Sequence, residues 1–60
     1  MKRYFVNDVV LFIENDKHIY GTIEKIETRE EGSFYTIFAN NLLYREIAER
    51  QILKDYGEDE

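Results

Sequence analysis

The chain has 60 residues, 43% of them hydrophobic, with 13 acidic and 8 basic side chains for a formal charge of −5. One domain fits that length, and it buries only about 60% of the surface its unfolded form exposes; with no cysteine and one histidine, His18, it lacks the usual disulfide or metal staples. The apolar content excludes a disordered chain, and the acidic balance, with a pI near 4.8, argues against a binder of polyanions.

The N-terminal "MKRYFVND" starts basic, but Asn7 and Asp8 interrupt it before an apolar region reaches signal-peptide length. The longest apolar run, residues 9–13, is far short of the roughly 20 residues of a transmembrane helix. Together with the absence of cysteine, these features predict a soluble cytoplasmic protein with no membrane partner. The first element is "VVLFIE", residues 9–14, a strand rich in β-branched and aromatic residues and closed by the turn formers of "NDK". "HIYGTIEKIE", residues 18–27, follows as a second strand. It alternates Ile19, Gly21 and Ile23 on one face and then shifts phase at Ile26, the mark of a bulge or bend. Gly21 fits that bend, because a glycine inside a strand marks a kink or a close backbone approach. "TREEG" turns the chain, and "SFYTIFA", residues 33–39, returns with Phe34, Thr36 and Phe38 facing opposite to Tyr35, Ile37 and Ala39. Strands two and three form one long, bent hairpin, with Gly32 a structural turn residue.

The last third supports two readings from its residues. Asn41 as an N-cap, Gly57 as a C′ glycine and good helix formers between them describe a helix over residues 42–56, packed on a three-stranded α+β sheet. Alternatively, the two asparagines form a hairpin turn and Leu42 and Tyr44 alternate with Leu43, Arg45 and Ile47 in a fourth strand. A tight turn over residues 48–51 then leads into a short fifth strand at Ile52 and Leu53.

The order "VNDVVLF", "YGTIEKI", "SFYTIFANN" and "REIAERQIL" resembles the SH3-like barrel domains of the Tudor and KOW type. Asp8 and Val10 match the first motif, Gly21, Ile23 and Ile26 the second, Tyr35 and Ile37 the third, and Ile47, Glu49 and Ile52 the last. Asn7 stands where glycine is common, and asparagine tolerates the positive φ that position needs. The resemblance spans nearly the whole chain and implies an all-β, five-stranded SH3-like barrel with a short 3₁₀ turn before the last strand. It places one barrel domain at residues 1–56 and an acidic tail at residues 57–60, with Asp8, Gly21 and Gly32 as structural residues.

The residues give little support to catalysis. His18 lies in a turn with no second histidine or cysteine beside it, and Ser33 lacks a nucleophile-elbow context. The acids of "ETREEG" lack the spacing of a calcium loop, so neither a metal nor another cofactor is expected. Aromatic residues deserve more weight: Phe12, Phe34 or Tyr35, and Phe38 occupy positions that a small core must fill. Tyr4, Tyr20, Tyr44 and Tyr56 are expected to share a half-exposed face that binds another protein. An aromatic cage for methylated lysine or arginine is a variant of that use, implied by the Tudor likeness. The KOW likeness implies nucleic-acid binding through a local basic edge of Lys2, Arg3, Lys17, Lys25 and Arg29, against the net charge. The converse is a phosphate mimic built from Glu24, Glu27, Glu30, Glu31 and the "EDE" tail. The expectation is therefore a non-enzymatic protein-interaction or regulatory module, a monomer or weak homo-oligomer, of bacterial or phage origin. A nucleic-acid-binding accessory protein is the alternative.

Overall fold

In the computed structural model, which describes residues 4–57, two pairs of polar residues set two of the three hairpins. Asn15 and Asp16 have φ of 52° and 64°, and Asn40 and Asn41 repeat the same two values. Two successive left-handed residues make the tight turn whose twist matches that of paired strands, and asparagine and aspartate tolerate that conformation best. The third hairpin turns at Glu30 and Glu31, and Gly32 follows with φ 134°, a conformation open to glycine.

The strands are β1 (Val9–Glu14), β2 (Lys17–Arg29), β3 (Gly32–Ala39), β4 (Leu42–Ala48) and β5 (Ile52–Asp55), with a 3₁₀ turn at Glu49–Gln51 between the last two. They form one antiparallel sheet in the order β4-β3-β2-β1-β5. The α+β alternative is overturned, since no α-helix occurs among the described residues and residues 42–48 pair with β3. Helix propensity loses here because the type I′-like turn at Asn40 and Asn41 returns the chain directly along β3. The ladder then satisfies its backbone while Ile47, Ala48 and Ile52 become buried.

Three bulges bend this sheet. Ile23 pairs with Ile37 but Lys25 pairs with Thr36, so Glu24 is an extra residue in β2, at the expected phase shift. The bulge returns Ile26 to the face of Ile23, opposite Tyr35 and against the core. A second bulge in β4 sets Arg45 and Glu46 against the same Thr36, because Tyr35 pairs with Ile47 and Ile37 with Tyr44. Sequence alternation had grouped Ile47 with Leu43 and Arg45. The extra residue corrects that grouping, so that Ile47 joins Tyr44 on the inner side. The third bulge places Leu53 and Lys54 opposite Leu11. With extra residues on both sides of Thr36, β3 and its neighbours curve there around a single core.

That core holds Val10, Phe12, Ile23, Ile37 and Ile47, all essentially inaccessible, with Tyr4, Tyr35, Ala39 and Ile52 around them. Its N-terminal cover depends on a turn at Asn7, φ 81°. Asp8 braces this turn: its carboxylate accepts the Phe5 N–H at 3.0 Å, and its own N–H donates to the Phe5 carbonyl at 3.0 Å. The Asn7 N–H donates to the Ile23 carbonyl at 2.7 Å and the Ile23 N–H to the Asp8 carbonyl at 2.9 Å, extending the β1–β2 ladder. Tyr4 is thereby folded back edge-on to Tyr35, with ring centroids 5.6 Å apart.

Candidate interaction face

Strand register decides which side chains share the outer side of the sheet. Inner residues alternate with outer ones, and directly paired residues point the same way. Leu43 pairs with Phe38, Phe38 with Thr22, and Thr22 with Val9, which makes one row across four strands. The adjoining row runs from Tyr20 through Leu11 to Lys54, with Leu53 brought beside Lys54 by its bulge. Tyr56 closes the face: its N–H donates to the Val9 carbonyl at 2.7 Å, and its ring stacks on Tyr20 with centroids 5.8 Å apart and planes 19° from parallel. Lys54 Nζ lies 5.5 Å from the Tyr56 ring centre, within cation–π range. Six of the nine large apolar residues that stand exposed among the described residues lie here: Val9, Tyr20, Phe38, Leu43, Leu53 and Tyr56, each 42–57% accessible.

The four expected tyrosines do not form one patch. Tyr20 and Tyr56 come together on the outer face, whereas Tyr4 is 7% exposed and packs on Tyr35. Tyr44 is half-buried, edge-on to Phe12 with centroids 5.4 Å apart, because it pairs with Ile37 on the inner side. Phe38 moves in the other direction. It was expected in the core but stands 42% exposed, since its partner Thr22 lies one residue from the buried Ile23 and faces outward. Phe12 and Tyr35 are buried as expected. No feature of the sequence marked Val9, Leu43 and Leu53 as exposed. The two tight turns set the Val9–Thr22 and Phe38–Leu43 pairs, the β2–β3 hairpin joins them through Thr22 and Phe38, and the β5 bulge places Leu53.

Gly21 sits on the inner side opposite Val10, where a β-carbon would lie 2.6 Å from Ile37 Cγ2, 2.8 Å from the Phe38 carbonyl oxygen and 2.9 Å from Ala39 Cβ. Close approach of β3 therefore requires glycine at that point. Gly32 has open space where a side chain would go, so its backbone conformation alone accounts for it.

The charged groups are dispersed along the sheet. Lys17 and Arg29 occupy opposite ends of the 13-residue β2, and Lys25 shares the bulge with Glu24. Arg29 donates to both Glu46 carboxylate oxygens, at 2.9 and 2.7 Å, and to Glu27 at 3.2 Å, while its guanidinium lies 4.5 Å from the Phe34 ring centre. The pairing raises the Arg29 pKa further and holds the Glu46 carboxyl below the ordinary glutamate range. Glu46 itself has φ 59°, so the bidentate clamp fixes a non-glycine residue in a left-handed bulge. Donation of its hydroxyl proton to Tyr56 raises the Tyr20 phenol pKa, and burial, followed by the charge of Glu49, raises that of Tyr35. Lys2, Arg3 and the "EDE" tail lie outside the described residues.

Among the described residues, no group of histidine, cysteine, aspartate or glutamate is arranged to hold a metal ion, and no helix is long and apolar enough to cross a membrane. Comparison of the chain with protein-family models, curated proteins and solved structures gives no match.

Proposed function

We propose that the chain is a non-catalytic protein-interaction module, an SH3-like barrel that binds through the outer face of its sheet. The observation that carries this reading is the outer row Leu43–Phe38–Thr22–Val9 with the adjoining Tyr20–Tyr56 stack. Six side chains left 42–57% exposed present on the order of 500 Å² of apolar surface, if a full large side chain spans about 150–250 Å². Contiguous patches of roughly 300–600 Å² on small proteins are often functional. Tyrosine and phenylalanine, three of the six side chains here, are among the residues protein interfaces are enriched in, and charged groups such as Lys54 belong at their polar rim.

The sheet edges favour the face over strand addition. β5 has four residues and a bulge at Leu53, and β4 is interrupted at Arg45 and Glu46. Both features blunt an edge against an incoming strand. Nucleic acid is a weaker fit. Arg29 is engaged by two carboxylates, Lys17 stands far along β2 from it, and the chain carries −5 overall.

A photo-activated phenylalanine analogue placed at Phe38 in cells of the source organism tests this reading. Protein adducts are expected from Phe38, with none from a control at Glu31 on the hairpin tip. Adducts to RNA or DNA at Phe38 contradict it and favour the nucleic-acid alternative.

A further inference from the structure

We infer that the occupant of the outer face is a second copy of the same chain, in a weak symmetric homodimer; this rests on the interaction reading above. Area is the first support. Two copies of a patch of about 500 Å² remove about 1,000 Å² together, the size at which a specific interface begins. The second support is the small core. The chain has no cysteine, no metal-binding group among its described residues and ten buried apolar side chains, while six large ones remain outside on one face. Small domains without staples commonly complete their burial by oligomerising.

Charge placement is the third support. The β2 bulge sets Glu24 at one end of the face, beside the Lys25 that pairs with Thr36, and the β5 bulge sets Lys54 at the other, opposite Leu11. In the order β2-β1-β5, Val9 lies midway between them, one step along the strands from each level. A twofold axis lying in the plane of the face, passing over Val9 and perpendicular to the line from Glu24 to Lys54, brings Glu24 against the partner's Lys54, and does so twice. Such self-complementarity is what an isologous interface requires. The net charge of −5 on each copy opposes approach, and salt screens that repulsion. Salt screens the two Glu24–Lys54 attractions as well, but the repulsion between net charges of −5 is the larger, so a self-pairing face tightens as salt rises, whereas a complex with a basic partner would loosen.

Sedimentation equilibrium of the purified full chain tests the inference, from low micromolar to about 1 mM protein and from about 50 to 500 mM salt. The expected result is a monomer–dimer equilibrium that strengthens with salt and weakens roughly tenfold or more in Phe38→Glu. Glu24→Lys and Lys54→Glu should each weaken the dimer and the double exchange should restore it, a coupling that a general loss of folding would not produce. Circular dichroism of each variant checks that the sheet is intact. A monomer at every concentration, or a dimer indifferent to Phe38→Glu and to the charge exchange, overturns the homodimer. The interaction reading itself then stands or falls separately, on whether the Phe38 cross-linker captures a different protein.

Discussion

Placing a side chain at Gly21 probes the tightest approach in the sheet. Valine there puts a β-carbon 2.6 Å from Ile37 Cγ2, 2.8 Å from the Phe38 carbonyl oxygen and 2.9 Å from Ala39 Cβ. Non-bonded heavy atoms sit at about 3.5–4.0 Å, so each contact is short by roughly 1 Å. None of the three neighbours can yield cheaply: the carbonyl and the alanine β-carbon are fixed to the backbone, and Ile37 is fully buried. Relief requires β3 to move away from β2, which disturbs the Thr22–Phe38 and Ile23–Ile37 pairs. Overpacking of this kind costs about 1–3 kcal/mol, and relief of the glycine's own strand penalty offsets about 0.5–1 kcal/mol. With its two extra methyl groups in the same space, Gly21→Val is expected to lose on the order of 2 kcal/mol or more. At roughly 0.05–0.15 kcal/mol per residue the whole domain holds about 3–9 kcal/mol. With a urea slope near 1 kcal/mol per molar, the midpoint should fall by about 2 M. Thr22→Val points to the outer face and should change stability by less than about 0.5 kcal/mol. Equal midpoints for Gly21→Val and the parent would refute the close approach of β3 at this glycine.

Gln51 joins the 3₁₀ turn to β1: its side-chain oxygen accepts the Ala48 N–H at 3.0 Å, and its amide donates to the Ile13 carbonyl at 2.9 Å and to Glu14 at 3.1 Å. Gln51→Ala should cost about 1–3 kcal/mol in urea denaturation, and a neutral result would show that these bonds do not hold the turn. Arg29 depresses the native Glu46 pKa, so its stabilisation is present above the ordinary glutamate pKa and disappears as pH falls through the depressed one. The Tm gap between the parent and Glu46→Gln should therefore close in acid; a gap independent of pH contradicts the clamp. Ultraviolet titration should find Tyr20 ionising above the ordinary tyrosine range and returning toward it in Tyr56→Phe; an unchanged titration rules out the hydroxyl contact.

Local turn chemistry and strand periodicity made most of the fold legible. "VVLFIE" occupies the whole of β1, the Asn15–Asp16 and Asn40–Asn41 pairs fix two turns, and the phase shift after Ile23 marks the Glu24 bulge. The β4 bulge was not legible, because a glutamate in left-handed conformation has no local signature. It is held by Arg29, 17 residues away in sequence. Alternation in β3 separated Phe34, Thr36 and Phe38 from Tyr35, Ile37 and Ala39. Which set faced the core was decided by partners on β2 and β4, beyond the reach of the strand's own pattern. Tyr4 was misplaced for a similar reason: it becomes buried only when Asn7 turns the N-terminal segment back over Tyr35. The candidate face was half visible. Two of its tyrosines were expected, while its aliphatic members emerge from the register that aligns Leu43, Phe38, Thr22 and Val9.

Backbone amide shifts followed by NMR as the purified chain is diluted test the pairing of two copies through the outer face most directly. The account predicts concentration-dependent shifts centred on Val9, Tyr20, Thr22, Phe38 and Leu43, which diminish in Phe38→Glu. Spectra that do not change with concentration, or shifts centred on the turns at Asn15 and Asp16 or Glu30 and Glu31, would contradict it.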